Sequence, residues 1–65
     1  MPIVTVKMGK GRTVEQKRSL ARALTDAIVD TLDVKPEWVT ILFEESGKDD
    51  WATGGVLHSD KKGEG

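Results

Sequence analysis

Two short stretches hold the residues whose chemistry stands out. The first is Met1-Pro2-Ile3-Val4-Thr5-Val6. Proline has a fixed φ and no N–H for a ladder, a loss that is small only at the first position of a strand. Aminopeptidases generally remove an initiator methionine when the second residue is small, as proline is. The mature chain then begins with a secondary amine on a rigid ring. Ordinary α-amino groups titrate near pH ~8. Burial among apolar side chains, and cations such as Arg12, both disfavour the charged amine and push it toward neutrality. A neutral amine with a pKa near the working pH serves as a general base, and it could also attack a carbonyl. The second stretch is Gly9-Lys10-Gly11-Arg12, leading into a helix start. Glycines permit close approach, helix N–H groups point outward, and Arg12 adds a bidentate donor, which together suit an anion. The Gly-Lys-Ser/Thr ending of a phosphate loop is absent, so the plainer reading is an exposed loop with solvated cations.

Other constellations are missing. The chain has no cysteine and one histidine, His58. Disulfides, thiolate metal sites and a histidine metal cluster within one chain are therefore not expected. Ser19, Ser46 and Ser59 fit no Ser-His-Asp motif. His58 falls in a tail expected to be mobile and receives no role.

The elements that must position Pro2 and Arg12 follow from periodicity. Ile3 to Met8 alternates, with Val4, Val6 and Met8 on one face and Ile3, Thr5 and Lys7 on the other, which predicts a strand. Gly9-Lys10-Gly11 breaks it. Thr13-Val14-Glu15-Gln16 has the form of a capping box and predicts a helix start. Leu20, Leu24, Ala27, Ile28 and Leu32 recur at spacings of three and four and form an apolar stripe. The helix should end near Leu32-Asp33, because Pro36 disfavours helical geometry at Lys35. Pro36-Glu37-Trp38 could begin a short extra turn. Val39 to Glu45 reads as a second strand, Ser46 to Asp50 as a loop, and Trp51 to Leu57 as a short hairpin around Gly54-Gly55. The fold class is α/β: a βαβ unit with parallel strands, a right-handed crossover and a C-terminal β-hairpin. One domain over residues 1–58 and a flexible polar tail over 59–65 are expected.

Size and charge bound the partners. A chain of 65 residues buries only roughly 60% of its unfolded surface and is marginal alone. With no disulfide or metal staple, oligomerisation is the remaining support. One helix covers one face of two strands, so Leu42, Trp51, Val56 and Leu57 would form an exposed apolar patch that marks association. Ten Lys plus Arg face eleven Asp plus Glu, a balance that argues against nucleic acid or a membrane surface as main partner. No apolar run approaches spanning length, and Lys7, Lys10 and Arg12 interrupt any signal-peptide core, so a cytoplasmic location is expected.

Taken together, Pro2-Ile3, Gly11-Arg12, Glu15-Gln16-Lys17, Leu32-Asp33, the second strand through Glu45 and Gly54-Gly55 resemble the 4-oxalocrotonate tautomerase family. The resemblance runs from Pro2 to about Leu57. It implies a βαβ fold with a hairpin, assembled usually as hexamers. It also implies a cofactor-independent isomerase that moves a proton within enol or dienol carboxylic acids. By position its amino-terminal base is Pro2, after removal of Met1. The arginine that binds a substrate carboxylate, typically in a neighbouring chain's site, matches Arg12. The family's aromatic wall is matched by Trp51. Its second arginine is replaced by Thr40, which can donate a hydrogen bond but carries no charge. Loss of one such electrostatic donor commonly costs about 3 kcal/mol in a transition state. The natural substrate is therefore open to differ from a dicarboxylic muconate. The alternative is a catalytically weak oligomer that binds a small acid or joins a mixed assembly. Hydrolytic dehalogenation, which some relatives perform with an acidic residue just after the aromatic position, is disfavoured by Ala52 and Thr53.

Overall fold

The structure, a computed structural model, describes residues 1–61. Strand β1 spans Ile3–Gly9, helix α1 Val14–Leu32, and strand β2 Thr40–Ser46. A short ribbon, β3 (Ala52–Thr53) and β4 (Val56–Leu57), follows. β1 and β2 pair in parallel with Ile3 beside Thr40 and Gly9 beside Ser46. β3 and β4 pair antiparallel. The expected βαβ unit with its hairpin is therefore present.

Local chemistry sets the boundaries. Thr13 Oγ1 accepts from the Gln16 N–H at 3.1 Å, and Gln16 Oε1 accepts from the Thr13 N–H at 2.9 Å, completing the capping box. Asp33 closes the helix in the left-handed region, at φ 55°, and its N–H donates to the Val29 carbonyl at 3.0 Å. Pro36–Trp38 forms a single 3₁₀ turn. Thr13→Ala should lower stability by about 1 kcal/mol, measured by chemical denaturation at fixed protein concentration, because the Gln16 N–H loses its acceptor.

Three details differ from expectation. β2 begins and ends one residue later than expected, and the segment expected as loop contains a 3₁₀ turn at Lys48–Asp50. The half-buried helix positions are Lys17, Ala21, Leu24, Thr25, Ile28 and Val29, so the sheet-facing stripe is rotated from the expected one. Leu20 and Leu32 remain exposed. The rotation carries Lys17 onto the sheet, where its ammonium pairs with the Glu45 carboxylate on β2. A 3₁₀ turn also occupies His58–Asp60, across the expected boundary between the domain and its tail. Positions 62–65 of that tail lie outside the described residues.

No described residue is fully buried. The radius of gyration is 15.3 Å, against about 11 Å for a self-contained domain of this length. The sheet has only two strands, and α1 covers one of its faces. Its face away from the helix carries Ile3, Thr5 and Lys7 beside Thr40, Leu42 and Glu44. Ile3 is 66% and Leu42 49% exposed, and Val56 and Leu57 on the ribbon and Trp51 just before it are exposed as well. An exposed apolar face of this kind marks an association surface. No helix among the described residues is long and apolar enough to cross a membrane.

Candidate active site

The ends of the sheet carry different halves of the expected site. At the C-terminal end, the Lys10 N–H extends the ladder to the Ser46 carbonyl at 2.9 Å. Gly11, at φ +128°, then turns the chain so that Arg12 precedes the helix cap. Gly9 is the close-approach point: a Cβ there would stand 3.5 Å from Trp51 Cζ3. The indole therefore lies against the end of β1.

Arg12 and Trp51 line one open cavity of about 590 Å³, with Met8, Lys10, Lys48 and His58 among its other walls. Three cations face this space and none of its lining residues is acidic. Asp50 lines the adjoining depression with Lys7 and Trp51. The arrangement suits an anion whose apolar body rests on the indole. The helix N-terminus contributes less than expected, because the capping box uses the Gln16 N–H and no residue of α1 lines the cavity.

Pro2 and Thr40 lie at the other end. The Thr40 N–H donates to the Pro2 carbonyl at 3.0 Å. Thr40 pairs with Ile3 on the open face, whereas strand alternation turns the half-buried Pro2 toward the opposite side. Seven residue steps separate Pro2 from Gly9, roughly 23 Å of strand. Of the four expected site residues, one chain brings only Arg12 and Trp51 into a shared cavity. Pro2 and Thr40 are tied to each other through the backbone.

His58, to which the sequence assigns no role, also lines this cavity. Its ring stacks on Trp51 with centroids 5.7 Å apart and planes at 26°. Its N–H donates to the Trp51 carbonyl at 2.6 Å. The signal was available in Gly54-Gly55. Both have positive φ, at 64° and 82°, as a two-residue hairpin turn requires. That turn pairs Thr53 with Val56 and Ala52 with Leu57, and one further step sets Trp51 opposite His58. Gly55→Ala should lower the melting temperature and loosen this stack. The strain of an L-residue at that φ is about 1–2 kcal/mol, although a Cβ there would meet no neighbour. Near-ultraviolet circular dichroism of the tryptophans would follow the stack directly.

Comparison with known proteins gives a consistent picture. The family described as "Tautomerase enzyme" matches residues 2–61. A 2-hydroxymuconate tautomerase of Bacillus subtilis is 45% identical over 60 residues, covering 92% of this chain and 97% of that protein. The crystal structure of a homologue of 4-oxalocrotonate tautomerase superposes with a TM-score of 0.87 at 43% identity, covering 94% of this chain and all of that one. A heterohexameric 4-oxalocrotonate tautomerase from Chloroflexus aurantiacus superposes with a TM-score of 0.82 at 33% identity, covering 92% and 97% of the two chains.

Proposed function

The chain belongs to the tautomerase enzyme family, and from that premise we propose an isomerase of enol or dienol carboxylic acids with Pro2 as its base. Removal of Met1 frees the Pro2 nitrogen. The neutral amine accepts the enol O–H proton, the carbonyl forms, and the electron pair moves along the conjugated chain to carbon. The resulting ammonium returns the proton to that carbon and regenerates the base. A proton is exchanged and nothing is oxidised, so the steps need no metal or organic cofactor.

The remaining roles follow from charge and shape. Arg12 holds the substrate carboxylate, where a fixed cation stabilises negative charge spreading toward it. Trp51 supplies the apolar wall that disfavours a charged amine. Thr40 donates a hydrogen bond to the developing oxyanion in place of a cation. Because the two halves lie at opposite ends of the sheet, each working site takes Pro2 from one chain and Arg12 with Trp51 from another. A homohexamer would supply that arrangement and cover the open sheet face. The hexameric relative supports this reading.

The observation that carries the proposal is that the family match begins at Pro2 and spans Arg12, Thr40 and Trp51. The test is ketonisation of 2-hydroxymuconate and phenylenolpyruvate, followed by ultraviolet absorbance, with protein of confirmed mass lacking Met1 and a Pro2→Ala control. Turnover that collapses in the control is the expected result. Equal background rates for both proteins would overturn it. Comparable rates on both substrates would show that a second carboxylate matters little when Thr40 replaces an arginine.

A further inference from the structure

The ribbon delivers one polar ring to the cavity that the proposed reaction leaves unused. His58 is half-buried, stacks on Trp51, and shares the cavity with Lys10, Arg12 and Lys48. Its backbone is fixed to the Trp51 carbonyl. Stack and hydrogen bond together restrict the imidazole before any ligand arrives, so little further rotamer freedom is lost on binding. A carboxylate offers about four acceptor positions, and a bidentate guanidinium fills two of them. An imidazole N–H is suited to a third, whereas an aliphatic or phenyl side chain is not.

We propose that His58 is a specificity-determining residue that hydrogen-bonds a carboxylate oxygen left open by Arg12, and so selects anionic substrates over neutral isosteres. The inference rests on the assignment of this cavity to substrate. It gives the Trp51–His58 pair two functions: the indole supports the conjugated body, and the imidazole reads the charged end. If His58 only propped Trp51, any flat ring would serve in its place.

Calorimetric titration of the assembled full-length protein with sorbate and sorbamide tests this. The two ligands share one diene skeleton and differ in whether the end group is charged. The unaltered protein should prefer sorbate. His58→Phe keeps a stacking ring and should weaken sorbate by about threefold to tenfold and sorbamide by clearly less, because a bond to a charged acceptor is the stronger one. His58→Gln keeps an N–H donor and should recover most of the sorbate affinity. Equal binding of both ligands by the unaltered protein would overturn the proposal. So would full sorbate affinity in His58→Phe, equal losses for both ligands in that variant, or no recovery with His58→Gln. Binding is read without turnover, so missing Pro2-dependent activity would sink the tautomerase reading while leaving this test intact.

Discussion

Protein that keeps Met1 should turn over 2-hydroxymuconate about 10²–10⁴-fold more slowly than protein that begins at Pro2. The reason is the nitrogen itself. Joined to Met1, Pro2 is a tertiary amide whose lone pair is delocalised into the carbonyl, and it accepts no proton at working pH. Freed, it is a secondary amine held in a ring at the head of β1. Pro2→Ala is a milder lesion, since methionine is still removed and a primary amine remains. It loses the ring that fixes the direction of the lone pair, so its loss sets a lower bound on what the proline contributes. The sign of the pH dependence follows from the same chemistry. Only the unprotonated amine is competent, so kcat/KM should rise with pH and level off above the amine's pKa. Full activity in the Met1-retaining protein, established by intact mass, would remove Pro2 from the mechanism.

The sequence made the local structure readable wherever one residue type has a single physical use. Thr13 and Gln16 are three apart and can cap reciprocally, and they do. Pro36 ends helical geometry upstream, and the helix stops at Leu32. Gly54-Gly55 permits two successive positive φ values, and the chain turns there. What could not be read depends on packing. The helix stripe differs from the apolar spacing because Lys17 lies on the sheet and pairs with Glu45. Leu20 and Leu32 then face away, available to other chains. His58 was missed because an isolated histidine near a terminus gives no periodic signal, and its place emerges only when the hairpin register is extended by one pair. The separation of Pro2 from Arg12 was implicit in strand length. A parallel β1 that starts beside Thr40 and ends beside Ser46 must hold its two ends far apart.

That separation yields the second large effect. Arg12→Ala alone should lower kcat/KM by about tenfold to a hundredfold, since a charge-assisted contact to the substrate carboxylate is lost. Pro2→Ala alone weakens the base, leaving a primary amine without the ring that orients its lone pair. If each site joins Pro2 of one chain to Arg12 of another, the two defective chains should repair one another when assembled together. Random mixing in equal amounts places an intact Pro2 opposite an intact Arg12 in about a quarter of the sites of a symmetric oligomer. The mixture should then recover about that fraction of unaltered activity, well above the sum of its parents. Were the site built within a single chain, every chain would lack one partner and mixing would restore nothing. Separately assembled oligomers, combined without exchange of chains, should show only the summed activity of their parents. Any gain must therefore come from new interfaces, and its appearance with time after mixing would report the rate of subunit exchange. The same logic accounts for a chain with no fully buried residue among those described. If the neighbours that complete the proposed site also close the core, dilution below the assembly threshold should abolish stability and activity together.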